Sequence, residues 1–177
     1  ALEEFCTTVG LPPFIDEASL LPVKIRRRLA QRSFPEAPWE CTRLRPWLEV
    51  SRLAARGARL TALTRHETGW ASVDSVYRDL DKAVAKRLRS SDCSASIVYA
   101  YEDGAFETFH AGKEAGKTCV YDLPTAHWRT IRKLLEEEAN RLPEWAGTMQ
   151  GLRDSTGKLA MKDAEIELAD HIVVASQ

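Results

Sequence analysis

The run from Ser96 to Arg141 constrains this chain more than any other part of it. Ser96-Ile-Val-Tyr-Ala-Tyr-Glu102 is a short apolar stretch rich in β-branched and aromatic residues. Ala105 to Ala115 has helical spacing that should bury Phe106 and Phe109, and Thr118 to Tyr121 is a second short apolar stretch. Two such strands separated by about a dozen helical residues read as a parallel βαβ unit, because an antiparallel pair needs only a short turn between its strands. Such units place helices on the faces of the sheet. In open parallel sheets, ligands sit just beyond the carboxyl ends of the strands. Here those ends carry Glu102-Asp103-Gly104 and the segment Asp122 through His127.

The rest of the chain supports an alternating α/β reading. Trp70, Val73, Tyr77, Leu80, Val84 and Leu88 step by three or four, which predicts a helix from Trp70 to Arg89 with one continuous apolar stripe. Further helices are expected from Thr125 to Arg141, closed by Pro143, and from about Leu159 to Ala169, leading into a strand from His171 to Ala175. Trp145 to Thr156 reads as a loop. Before the long helix, Leu2 to Val9 reads as a strand, broken by Leu11-Pro-Pro13. A helix is expected from about Leu21 to Arg32, then a loop from Ser33 to Trp39. A helix from Arg45 to Arg56 follows, with Gly57 as its natural residue beyond the C-cap, and Arg59 to Arg65 reads as a short strand.

With 177 residues, 44% of them hydrophobic, the chain has the material for one globular domain spanning 1–177 and a sizeable core. A net charge of -1 gives no global argument for nucleic acid. The cations are nevertheless clustered: Lys24 to Arg32 holds five, and Arg43, Arg45, Arg52, Arg56 and Arg59 follow. That is either a solvated helix face or a patch for anionic lipid headgroups or an anionic acceptor. The cysteines at 6, 41, 93 and 119 have neither metal-knuckle nor redox spacing, so buried free thiols in a reducing compartment are expected. No apolar run approaches the about 20 residues of a membrane span, and no signal peptide is visible. There is no initiator Met, and both ends read as interior pieces of a sheet, so the chain is expected to be part of a longer protein.

Several apparent motifs carry no chemistry. Ala111-Gly-Lys-Glu-Ala-Gly-Lys-Thr118 resembles a phosphate loop, but the first glycine of that pattern falls on Ala111. The segment also leaves a helix and opens a strand, so its amides do not aim at a phosphate from a helix N-terminus; Gly116 is better read as a helix cap. Glu136 lies on an exposed, Glu-rich helix face and Glu144 lies beyond Pro143, so their spacing is coincidental. His66 does not continue into HExxH, because position 70 is Trp. His110 reads as packing or surface, and His171 opens a strand.

His127 differs, because it lies in the first turn of a helix that follows a strand end. The helix dipole favours neutral imidazole there, and nearby free amides help hold developing negative charge. The alternative is a capping or surface histidine. Glu102 and Asp122 end adjacent strands, where carboxylates bind hydroxyl-rich ligands or act as bases, or else cap the following helix, as Asp103 also does in that second reading.

Ile97-Val-Tyr-Ala-Tyr-Glu102, then Lys117-Thr-Cys-Val-Tyr-Asp-Leu-Pro-Thr-Ala-His127, and finally Glu167-Leu-Ala-Asp-His-Ile-Val-Val-Ala-Ser176 together resemble the N-terminal domain of retaining family 4 glycosyltransferases. Ser72-Val-Asp-Ser-Val-Tyr-Arg-Asp-Leu-Asp81 is similar to a bacterial branch of the same family. The resemblance rests on the order and spacing of these segments and covers roughly Trp70 to Gln177; residues 1 to 65 match weakly. It implies a Rossmann-like three-layer α/β domain with a mostly parallel sheet, the N-terminal and acceptor-side half of a GT-B fold, without its first strand, glycine-rich turn and C-terminal donor domain. The implied activity is transfer of a sugar, with retention, from a nucleotide-sugar donor to a glycan, lipid-linked or small-molecule acceptor, inside the cytoplasm, either free or peripheral to a membrane. No cofactor, metal or nucleic acid is implied. In the family a histidine near the position of His127 approaches the donor sugar. Other members often carry a histidine directly on the strand edge, where this chain has Asp122, so the key contact falls to His127 or Asp122. Glu102, Asp103, Gly104, Thr125 and Ser176 are the edge positions implied to touch substrate. Rival readings are a self-sufficient nucleotide-binding module on a flavodoxin-like sheet and a membrane-docking module built on the basic segment.

Overall fold

The computed structural model describes residues 2–10 and 39–175. The expected helix at 21–32, most of the proline-bearing loop at 33–39 and Ser176 lie outside the described residues. The chain divides into two compact units, residues 1–80 and 81–177.

In the first unit, β1 (Phe5–Thr7) pairs in parallel with β2 (Thr42–Leu44), Phe5 opposite Thr42 and Thr7 opposite Leu44. The expected strand at 2–9 contracts to the three residues that find a partner in β2. Helix α1 (Trp47–Gly57) starts later than Arg45. The Arg45 amide instead donates to the Thr7 carbonyl at 2.9 Å, extending the sheet contact, and Pro46 then turns the chain into the helix. Beyond α1, Arg59 rather than Gly57 takes the left-handed conformation, with φ 57°. The Leu60 amide reaches the Ala55 carbonyl and the Arg59 amide the Arg56 carbonyl, the double bond of a Schellman ending.

The strand expected at 59–65 is not formed. Thr61, Leu63 and Thr64 donate to carbonyls two or three residues back, and the Ala71 amide closes on Leu63 at 2.8 Å, so the backbone folds into consecutive turns. Gly69 makes this closure possible, since a Cβ there would lie 2.4 Å from the Leu63 carbonyl oxygen. Helix α2 (Val73–Leu88) begins after Ser72, whose Oγ accepts from the Ser75 amide at 3.0 Å. Its buried line runs through Val76, Asp81, Ala85 and Leu88. Trp70 and Val73, expected on that stripe, are 64% and 49% exposed because they fall before and at the start of the helical turn.

The second unit contains β3 (Ile97–Tyr101), α3 (Phe106–Glu114), β4 (Thr118–Leu123), α4 (Trp128–Arg141), α5 (Thr156–Leu168) and β5 (His171–Val174). The strands form a parallel sheet in the order β3-β4-β5, with Tyr101 opposite Asp122 and Asp122 opposite Val173. This is the parallel α/β arrangement expected from the βαβ pattern, and it is consistent with a Rossmann-like domain. Val98, Cys119, Tyr121 and Leu123 alternate inward and pack with Phe109, Ala105 and Ala111. Ile97, Tyr99 and Tyr101, on the opposite face, are exposed. Gly112 lets α3 approach β4: a Cβ there would sit 3.0 Å from Cys119 Sγ.

Helix α3 ends at a Schellman motif with Gly116 at φ 67°, the cap read from the sequence. Strand β4 runs two residues past its expected end, which moves the start of α4 from 125 to 128. The expected loop at 145–156 holds two 3₁₀ segments, Pro143–Thr148 and Gln150–Arg153, that pack on α4. Helix α5 starts at Thr156 rather than 159, because the Ser155 hydroxyl caps it through the Lys158 amide. Asp170 opens β5: its carboxylate accepts from the Cys119 amide at 2.8 Å and from Lys113, which hold its pKa below the ordinary carboxylate range. Of the four free thiols, only Cys119 is fully buried, and burial pushes its pKa up.

Candidate functional site

The turn from β3 to α3 carries the first group of expected site residues, Glu102, Asp103 and Gly104. Its geometry is set by a residue far away in sequence. Glu165, on the inner face of α5, has no exposed surface. Its carboxylate accepts from the Asp103 amide at 3.1 Å, the Ala105 amide at 2.9 Å and the Tyr121 hydroxyl at 2.8 Å. The next amides of α3 are taken by a second buried carboxylate: Asp81 accepts from Glu107 at 2.9 Å and from Thr108 at 2.8 Å. Neither the N-cap Ala105 nor any other local side chain caps the helix. Two internal carboxylates therefore occupy the place where a helix N-terminus would otherwise attract an external anion.

Burial pushes the Glu165 carboxyl above its usual range, against the three donors that favour its charged form. The Tyr121 phenol is driven far up by burial and by the Glu165 carboxylate. Asp103 adopts the left-handed conformation, φ 70°, that lets its amide turn inward to Glu165 while its side chain turns to the lysines of α5. Lys162 Nζ lies 2.8 Å from Glu102 and 3.1 Å from Asp103, and Lys158 lies 3.6 Å from Asp103 and 3.4 Å from Asp154. Burial works against the Lys162 charge, yet Glu102 and Asp103 outweigh it and hold its pKa above the ordinary lysine value. Glu102 and Asp103 are thus brought together at the edge, each neutralised by α5.

Asp122, at the end of β4, sits opposite Tyr101, and its backbone carbonyl accepts from the Glu102 amide at 3.2 Å. Its side chain lies on the same face of the sheet as Tyr99, and the Asp122 carboxylate raises the Tyr99 pKa. Tyr101 and Asp122 are opposite one another at the carboxyl ends of β3 and β4, and Tyr99 lies two residues back on the same face. Thr125 is exposed on the loop that follows.

His127 is the N-cap of α4. Its Nδ1 accepts from the Arg129 amide at 3.2 Å, and its Nε2 faces Asp163 at 3.3 Å. Asp163 also accepts from Trp128 Nε1 and from Arg129, both at 2.7 Å, and the Arg129 guanidinium lies over the Trp128 ring. Burial alone would raise the Asp163 pKa, but the Trp128 and Arg129 contacts bring it below the ordinary value. Both imidazole nitrogens of His127 are engaged, one in a helix cap and one with a carboxylate.

Sequence reading did not single out Glu165, Lys162, Asp81 or Tyr99. A signal for the first two was present: Leu159, Lys162 and Glu165 recur at three-residue spacing on the buried side of α5, so a lysine and a glutamate stand on an otherwise apolar stripe. No family model, curated protein or solved structure matches the chain.

Proposed function

We propose that this chain forms the acceptor-side wall of a retaining, nucleotide-sugar-dependent glycosyltransferase, and that Asp122 makes its key cleft contact. One observation carries this reading. At the carboxyl edge of the parallel sheet, the anion-binding position at the start of α3 is filled by Glu165 and Asp81, while the Tyr99–Asp122 pair beside it offers hydrogen bonds to hydroxyls. An edge built this way favours a hydroxyl-rich acceptor over a nucleotide phosphate. That fits a two-domain transferase in which the donor is held elsewhere, and it speaks against a self-sufficient nucleotide-binding module. Asp122 is favoured over His127 because it ends its strand on the sheet face that carries the exposed Tyr99 and Tyr101, whereas both nitrogens of His127 are engaged. A carboxylate at this position would orient the acceptor hydroxyl and stabilise positive charge developing on the sugar.

The experiment pairs the full product of the gene with the 177-residue chain, assayed against nucleoside-diphosphate sugars and by calorimetry with the nucleotides alone. The full product is expected to transfer sugar with retention, and Asp122→Asn to lower kcat at least about tenfold, within the range for losing one positioned acid or base. The chain alone is expected to be inactive and to bind nucleotide no better than millimolar. Micromolar nucleotide binding by the chain, or no donor turnover by the full product, would sink the proposal.

A further inference from the structure

Helix α1 is turned the wrong way round for a helix of a soluble unit. Its shielded side carries Leu48, Ser51, Ala55 and the Glu49–Arg52 pair, in which Arg52 Nε lies 2.5 Å from Glu49. Its outward side carries Trp47, Val50 and Leu53, which are 82%, 49% and 40% exposed. The turns that follow add exposed Leu60 and Leu63. Soluble proteins turn the apolar stripe of a surface helix inward, and a contiguous exposed apolar patch marks an interaction surface.

The charge around this patch identifies the partner. Residues 42–65 contain six arginines and a single acid, Glu49, in a chain whose net charge is -1. Glu49 is buried against Arg52. Arg43 and Arg45 pair with Glu4 and Asp79. Arg56, Arg59 and Arg65 are exposed and have no acidic partner among the described residues. An apolar helix face with an aromatic residue at one end and uncompensated arginines around it is the pattern of a helix that lies in a membrane interface. A second copy of the chain fits less well, because a two-fold contact through this face would bring Arg56 and Arg59 close to their own copies.

We propose that the outward face of α1, with Leu60, Leu63 and the arginines at 56, 59 and 65, docks on an anionic lipid bilayer. Trp47 and Leu53 enter the interface, and the guanidinium groups meet the lipid phosphates. The proposal does not depend on sugar transfer, since vesicle binding needs no donor, and the two fail separately.

The test is cosedimentation of the chain with vesicles of phosphatidylcholine alone and of phosphatidylcholine mixed with phosphatidylglycerol, with tryptophan emission followed in parallel. Binding is expected only to the anionic vesicles and is expected to weaken as salt rises. A blue shift in emission should disappear in Trp47→Phe. Arg56→Gln and Arg59→Gln should each weaken binding about fivefold. Trp47→Ser with Leu53→Ser should weaken it more than tenfold, with circular dichroism confirming that the chain is still folded. Failure to bind anionic vesicles, equal binding to neutral ones, or binding unaffected by the α1 substitutions would overturn the proposal. Self-association in ultracentrifugation that the same substitutions abolish, without vesicle binding, would reassign the surface to a contact between copies.

Discussion

Helices α3 and α4 each follow a strand of the same sheet, yet their N-termini are capped in opposite ways. The start of α3 has no local cap; its amides are closed by Glu165 and Asp81, both buried, the former some 60 residues away in sequence. The start of α4 is capped by its own residue, His127, on a partly exposed surface. The difference teaches where rigidity sits in this edge. The β3–α3 turn is fixed by tertiary contacts and holds Glu102 and Asp103 in one place. The start of α4 is capped by its own residue and is tied to α5 only at the surface, through Asp163 and the side chains of His127, Trp128 and Arg129.

The comparison breaks most readily at Glu165. Glu165→Ala strands two backbone amides and the Tyr121 hydroxyl in the interior, and should cost about 3–5 kcal/mol, at the upper end for single substitutions. Glu165→Gln keeps the shape and part of the bonding, and should cost about 1–2 kcal/mol. Urea unfolding measures both; a loss below about 1 kcal/mol for the alanine variant would mean that α3 is not anchored by this residue. Asp81→Ala removes two further amide partners and should cost about 1–2 kcal/mol. A neutral result there would place the anchoring on Glu165 alone.

A pH series separates the two ends by sign. The Glu165 carboxyl is raised in the folded chain, so its contribution to stability is present below the unfolded value and lost as pH rises through the folded one. The stability difference between the wild-type chain and Glu165→Gln should therefore widen as pH falls from neutral into the carboxylate range. Asp163, beside His127, is lowered, so its contribution is present above the unfolded value and lost as pH falls through the folded one. The difference between the wild-type chain and Asp163→Asn should narrow over the acid end of the same series. Paired denaturation curves at several pH values read both slopes, and slopes of equal sign would contradict the assignment.

The smallest effect is expected at His127. His127→Ala should cost about 0.5–1 kcal/mol as a lost N-cap, and His127→Asn should recover most of it, since asparagine is among the best capping residues. Under the proposed function, His127→Asn in the full gene product is expected to retain sugar transfer. Recovered stability with transfer abolished would move the cleft contact from Asp122 to His127.

Much of the second unit was legible from spacing alone. The short apolar runs at 96–101 and 118–121 and the helical spacing at 105–115 between them predict a parallel βαβ unit, and the observed sheet follows them, with the second strand two residues longer. Gly116 was legible as a cap because few residues other than glycine take a left-handed conformation freely. The first unit was less so. Arg59 to Arg65 has strand composition, but a strand needs a partner, and local turns closed by Gly69 captured those backbone groups first. The site divided along the same line. That Glu102, Asp103, Gly104 and Asp122 lie at strand ends was legible, because strand length follows from the apolar runs. Glu165, Lys162 and Asp81 were not, because their roles depend on which helix packs over which strand end.

By itself, then, the sequence determined the alternation of strands and helices, the parallel pairing of β3 with β4, and the edge at which polar groups collect. These follow from periodicity and connection length, which act within a few tens of residues. Only the tertiary structure decided that the N-terminus of α3 would be filled by the chain's own carboxylates, that Asp163 would reach His127 from α5, and that α1 would turn its apolar side outward. Those outcomes depend on long-range packing, where a buried carboxylate needs amide donors and a helix face is shielded only if another element covers it.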